Sequence, residues 1–241
     1  MNVLPTELCP HRVIHADSLD VLKSMADGCV DHTITDPPYS DQTHTGARTS
    51  LKKKLITTFE GISAPLFVEI ASELVRVTKR WVLMTCDWHH AAIAEAAGLP
   101  VVRLGIWVKP DAAPQFTGDR PATGWEAVLI MHRPGRKQWN GGGHHAVWHC
   151  GVQRDARHPT EKPLSLVRRW VRLFSDPGET IFDPFAGSGT TGVAAKREGR
   201  RALLIEKNEK YADICRERVG QARDGFDPKT GRVNGGEGLL F

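Results

Sequence analysis

The sequence predicts a single α/β domain built on a mostly parallel sheet of seven strands with one antiparallel excursion. Three observations predict it. Short β-forming runs alternate with amphipathic helical runs at both ends of the 241-residue chain, the pattern of strands joined by crossover helices. Two further β-rich runs, "VVRLGIWVK" and "WEAVLIMHR", are separated only by "PDAAPQFTGDRPATG", which is rich in turn formers and too short for a crossover helix, so an antiparallel pair is expected. A glycine loop, "FDPFAGSGTTG" at residues 182–192, separates a strand from a helix.

The first strand is "RVIH", residues 12–15, and "DSLDVLKSMADG" after it spaces Leu19, Leu22 and Met25 on one helical face, between Asp17 or Ser18 as cap and Gly28 as terminator. Val30, Thr33, Ile34 and Thr35 form a second strand that stops near Asp36, because Pro37 cannot donate to a ladder. Residues 40–61 are polar, with a basic centre, and are expected to form a long mobile loop. "APLFVEIASELVRVTKR" is the next helix, with Leu66, Ile70, Leu74 and Val77 in register, and "WVLMTC" the next strand. After a short helix, "AAIAEAAG", and the antiparallel pair, residues 133–157 form a basic insertion holding Arg133, Arg136, Lys137, Arg154 and Arg157. Alternation then resumes: helix "LSLVRRWVRLFS", strand "TIFD", the glycine loop, helix "GVAAKRE", strand "RALLIE" and helix "NEKYADICRERVGQAR". One domain is expected over residues 1–221, followed by a tail, 222–241.

Composition narrows the function classes. With 32 basic and 28 acidic residues the net charge is +4, which permits a polyanionic partner without demanding one. The five cysteines are odd in number and contain no C-x-x-C pair, which argues against a disulfide framework or a zinc ribbon. In "HHAVWHC" the spacing of His144, His145, His149 and Cys150 matches no common zinc pattern, so no metal is expected. No signal-like start and no apolar run of about 18 residues is present; a cytoplasmic protein without a membrane span is expected.

Two motifs carry chemistry. In "TDPPYS", residues 35–40, a carboxylate at a strand end is followed by two prolines of fixed φ, which preorganise acceptors before any ligand arrives. In the glycine loop, Gly187 and Gly189 let the backbone approach a ligand closely. Glu206 ends the next strand, at about the 20-residue spacing that sets an acid against ribose hydroxyls. A P-loop is excluded because no lysine follows the glycines. A nicotinamide dinucleotide site, a site for S-adenosylmethionine and a plain glycine-rich strand-to-helix turn are the other readings of this loop.

With "DPPY", "DPFAGSGTT" and "HPTEKP" (residues 158–163) in that order, the chain resembles the beta group of DNA amino-methyltransferases across roughly residues 11–220. The resemblance implies a Rossmann-like seven-stranded sheet with the antiparallel hairpin at one edge, in circularly permuted order, and a site-specific adenine-N6 enzyme using S-adenosylmethionine on double-stranded DNA. It implies catalytic roles for Asp36, Pro37, Pro38 and Tyr39: the acid and a proline carbonyl accept the N–H groups of an amino group, and the tyrosine stacks on the flipped base. It implies a cofactor site in which Asp183, Pro184, Phe185, Ala186, Gly187, Ser188, Gly189, Thr190 and Thr191 cradle the methionine end together with Asp36. Glu206 and Lys207 would lie at the ribose and Asp17 and Ser18 at the adenine, with His158, Pro159, Thr160 and Lys162 closing over the cofactor. An acid in the first motif position resembles adenine-N6 enzymes and a serine there cytosine-N4 enzymes, which remain the nearest alternative.

Arg48, Lys52, Lys53 and Lys54 beside the catalytic motif, and Arg133, Arg136 and Lys137 in the insertion, are the DNA-contact candidates. Trp107 and Lys109 are candidates for the border of the base pocket. A nicotinamide oxidoreductase would leave "DPPY" and "HPTEKP" without a task, and a non-catalytic DNA-binding module would not need Asp36. The tail ends in Leu239, Leu240 and Phe241, and a homo-oligomer is expected, with those side chains docked on the same subunit or a neighbour.

Overall fold

The alternation of β-formers and amphipathic segments closes into one eight-stranded mixed sheet in the computed structural model, which describes residues 10–38, 62–116, 118–152, 161–227 and 232–233. Strand β1 (His11–His15) leads through α1 (Ser18–Ser24) to β2 (His32–Thr35), and α2 (Ala64–Val77) leads to β3 (Trp81–Cys86). Helix α3 (Trp88–Ala96) precedes the pair β4 (Val101–Val108) and β5 (Trp125–His132), followed by β6 (Val147–His149). The last part runs α4 (Leu164–Phe174), β7 (Thr180–Asp183), α5 (Thr190–Arg197), β8 (Arg201–Glu206) and α6 (Glu209–Gln221). Beyond it, β9 (Phe226–Asp227) and β10 (Arg232–Val233) form a small antiparallel ribbon.

Across the sheet the order is β1-β8-β7-β2-β3-β5-β4-β6. The first five strands are mutually parallel, β5 is antiparallel to both β3 and β4, and β6 is parallel to β4. Period-two alternation sends Leu83 to one face and Val82 and Met84 to the other, so β3 is buried on both sides. Helices α4 and α5 pack on the face of Leu83, and α1, α2 and α3 on the opposite face. Local capping agrees with this arrangement: Ser63, Asp87 and Asn208 each accept a first-turn N–H of the helix they precede.

The strand count differs from expectation. Seven strands were predicted with the hairpin at an edge, and an eighth, β6, pairs with β4 and covers that edge. It is three residues long, too short for periodicity to reveal, and it comes from the segment whose charge marked it as an insertion. Its anchor is Trp148, 1% exposed, packed edge-on to Trp170. Gly105 on β4 makes room for it: a Cβ there would lie 2.6 Å from the indole of Trp148, the close approach that a glycine inside a strand signals.

Among the described residues, no helix is long and apolar enough to cross a membrane. The expected loop at 40–61 and the terminal Leu239, Leu240 and Phe241 lie outside the described residues.

Candidate active site

The strand order reverses direction between β7 and β2: the chain leaves β2 toward β3 and leaves β7 toward β8. At such a switch point the loops beyond the strand ends part and leave a crevice. The two motifs singled out in the sequence meet there. Asp36 follows β2, Asp183 ends β7, and the hydroxyl of Thr35 ties the strands together by donating to Asp183 Oδ1 at 2.7 Å.

Asp36 is held from two sides. The hydroxyl of Thr85, near the end of β3, donates to Oδ1, and the ammonium of Lys162 lies 2.6 Å from Oδ2. Lys162 also lies 3.3 Å from Glu126 Oε2, and the other oxygen of Glu126 accepts from Lys109. Trp107, opposite Glu126 across the β4–β5 ladder, presents its ring to Lys109 at 4.6 Å and to Lys162 at 5.8 Å. Four charges thus alternate in sign from Asp36 through Lys162 and Glu126 to Lys109. Burial opposes the ammonium of Lys162, but Asp36 and Glu126 outweigh it, so the Lys162 pKa is raised above the ordinary lysine value.

The glycine loop is fixed by its own neighbours. Gly189 caps α5 at φ +87°, and a Cβ on it would lie 2.6 Å from Cys215 Sγ on α6. Gly187, at φ +52°, donates its N–H to Glu206 Oε2 at 2.8 Å, and Asn208 donates to the other oxygen at 2.8 Å. An ionised carboxylate has about four acceptor positions, so Glu206 retains capacity for hydroxyl donors. Asp183 is buried, which pushes its carboxyl up to about 6 against the hydrogen bonds it accepts from Thr35, Thr191 and the Phe185 N–H. Thr190 Oγ1 is buried without a hydrogen-bond partner among the described residues.

Of the expected site residues, Asp17, Ser18, Asp36, Pro37, Lys162, Glu206, Lys207 and the whole run Asp183–Thr191 gather beyond the carboxyl ends of β1, β8, β7 and β2. Asp17 caps α1 through the Leu19 N–H at 2.9 Å and pairs with Lys207 at 2.9 Å, which holds its carboxyl below the ordinary range. Ser18 donates to the Pro184 carbonyl, joining the first helix to the glycine loop. Tyr39, His158, Pro159, Thr160, Arg48, Lys52, Lys53 and Lys54 lie outside the described residues.

Arg133, Arg136 and Lys137 are not brought to this site. Because β5 is antiparallel, it exits at the opposite end of the sheet, where its last residue, His132, pairs with Trp81 at the start of β3. Arg133 there donates to the Arg76 carbonyl at 3.3 Å and lies 3.8 Å from Asp27. Arg136 and Lys137 follow in the same loop, and the neighbouring Gln138 carbonyl accepts from the Trp81 indole.

Four site residues were not expected from sequence. Thr85 and Glu126 touch Asp36 and Lys162, and a hairpin register placing Glu126 opposite Trp107 was the available signal for the second. Glu161, inside "HPTEKP", accepts from Ser188 Oγ at 2.9 Å and from Arg218 at 2.6 Å, and Arg218 also donates to the Ser188 carbonyl at 2.8 Å. This triad ties the segment carrying Lys162 to the glycine loop and to α6.

A profile for the N6 and N4 methyltransferases, described as DNA methylase, matches residues 30–217. The type II methyltransferase M.XycI of Xanthomonas campestris pv. cyanopsidis is 29% identical over 150 residues, covering 57% of this chain; the match spans half of that relative's length. The crystal structure of an M1.HpyAVI–SAM complex superposes with a TM-score of 0.64 at 22% identity, covering 86% of this chain and 98% of that one. The cytosine-N4-specific PvuII DNA methyltransferase gives 0.69 at 15% identity, covering 86% of each chain. At these identities the structural likeness carries the fold alone.

Proposed function

We propose, from the fact that this chain belongs to the N6/N4 DNA methylase family, that it moves a methyl group from S-adenosylmethionine to the N6 amino group of an adenine in double-stranded DNA. The observation that carries the proposal is the meeting of Asp36 with the glycine loop at the switch point, one strand apart and joined through Thr35.

What supports the cofactor is the chemistry of the donor set. Thr190 Oγ1 is buried with no protein partner among the described residues, Gly187 and Gly189 present bare backbone, and Glu206 has acceptor positions to spare. Asp183 and Thr190 would hold the amino-acid end, and Glu206 the ribose. When bound, S-adenosylmethionine supplies a sulfonium methyl group open to in-line displacement.

The residues of the chain have a different task. An exocyclic amino group is a poor nucleophile because its lone pair is delocalised into the ring. Asp36 accepts one of its N–H bonds and the Pro37 carbonyl the other, which draws the nitrogen toward tetrahedral geometry and localises the lone pair. Pro37 and Pro38 hold those acceptors still, and the base must leave the duplex to reach them. Asp36 in the first motif position favours adenine; a cytosine-N4 reading is kept because an enzyme of that specificity shares the fold.

Nucleoside mass spectrometry of DNA from a host that lacks methylation, after expression of this chain, tests the proposal. N6-methyladenine is expected, N4-methylcytosine would move the assignment to the alternative base, and neither would refute it. Asp36→Ala is expected to bind S-adenosylmethionine almost normally and to methylate slower by about 10²–10³-fold, the usual loss for one preorganised polar group.

A further inference from the structure

Asp36 stands occupied. Its Oδ1 accepts from Thr85 and its Oδ2 from Lys162 at 2.6 Å, inside a site where Lys162 is largely shielded from water. An amino group that uses Oδ2 as acceptor must share it with an ammonium. Sharing is unfavourable already on binding, because the partly positive N–H hydrogens of the amino group and those of the ammonium converge on one carboxylate oxygen and repel. Lys162 therefore has to withdraw, and a buried ammonium cannot withdraw into an apolar wall. The structure provides a second carboxylate: Glu126 Oε2 is already 3.3 Å from Lys162 Nζ, and Glu126 is itself held by Lys109 against the Trp107 ring.

We infer that Glu126 is a positioning residue that draws Lys162 off Asp36 when the target amino group arrives. The inference rests on the function proposed above. In the free protein Lys162 neutralises Asp36 and keeps the buried acid from standing alone. With the base in place the ammonium moves along the Asp36–Glu126 pair, the base takes its position on Oδ2, and no charge has to cross to solvent. The exchange is completed on binding, so its cost falls on substrate affinity and not on the chemical step.

The test is a double-mutant cycle on the full chain, with unmethylated genomic DNA as substrate and tritiated S-adenosylmethionine at saturation. Glu126→Gln, which takes from Lys162 the carboxylate 3.3 Å from its ammonium, is expected to raise KM for DNA about tenfold, the size of one charged hydrogen bond exchanged for a neutral one, with kcat held within about twofold. Adding Lys162→Met to Glu126→Gln removes the competitor together with the need for its acceptor. It keeps the net charge of the cluster but takes Lys162 from Asp36 and Glu126 from Lys109, so thermal unfolding is measured first to establish that it folds, and its KM is expected to fall back below that of Glu126→Gln. S-adenosylmethionine affinity, measured by titration calorimetry in each variant, separates cofactor effects from substrate effects. An unchanged KM in Glu126→Gln overturns the inference. So does a raised KM that persists in the double variant, because Glu126 would then act through Lys109 and Trp107. Wild-type protein that transfers no methyl group to DNA overturns the proposed function, and the inference with it.

Discussion

Asp183 offers a direct test of the electrostatics beneath the glycine loop. Its carboxyl is buried and moved from an ordinary 3.8 to about 6. At roughly 1.4 kcal/mol for each tenfold change in proton affinity, its ionised form is disfavoured by about 3 kcal/mol in the folded chain. The folded-state value lies above the unfolded one, so the contribution of the neutral acid to stability is complete below about pH 4 and is lost as the pH rises through 6. In Asp183→Asn the amide oxygen can keep the bonds from Thr35 and the Phe185 N–H, and the Thr191 hydroxyl can turn to accept from the amide NH₂. Urea denaturation of both proteins from pH 4 to pH 8 measures the difference. The stability of the variant relative to wild type is expected to rise by up to about 3 kcal/mol over that range, with most of the change between pH 4 and 7. A difference that stays flat with pH would refute the account of Asp183 as an acid strained by burial.

Gly189→Ala is expected to lose roughly 2–5 kcal/mol, combining left-handed backbone strain at φ +87° with a Cβ placed 2.6 Å from Cys215 Sγ; Cys215→Ala in the same chain is expected to restore part of the loss, and a urea midpoint equal to wild type would contradict the packing. Glu161→Met is expected to destabilise by about 3–5 kcal/mol because it strands Arg218, whereas Glu161→Met with Arg218→Met is expected to recover most of that; equal losses in thermal unfolding of the single and double variants would show that the pair is not the unit of stability.

Parts of this molecule were open to reading from sequence because the physics that sets them is local. A proline after a β-forming run ends a strand wherever it occurs, so Asp36 was placed at a strand end correctly. The glycine loop and Glu206 were legible for a similar reason: backbone conformation and spacing along two consecutive strands require little knowledge of the rest of the fold, and Gly187 does bond to Glu206. Strand β6 was missed because three residues carry no periodicity and its stability comes from the fit of Trp148 against Gly105 and Trp170. That Arg133, Arg136 and Lys137 lie at the other end of the sheet from Asp36 was not legible, because charge density does not say at which end of an antiparallel strand a loop emerges. Thr85, Glu126, Glu161 and Arg218 meet their site partners across sequence separations of 27–57 residues, through contacts no linear pattern records.

The pairing of β2 with β7 joins His32 to Ile181, and that of β1 with β8 joins His11 to Ala202. During synthesis, the strand that leads into Asp36 ends at Thr35, and the strand that closes against it does not begin until Thr180. Until then one long edge of β2 has no partner, and the crevice that would receive the cofactor has only one wall. Pairings this distant in sequence form slowly and leave hydrophobic strand edges uncovered for longer. A ribosome-bound chain stalled before residue 180 would therefore hold Asp36 and its prolines complete as a sequence and incomplete as a site, because the glycine loop that faces them has not yet been made.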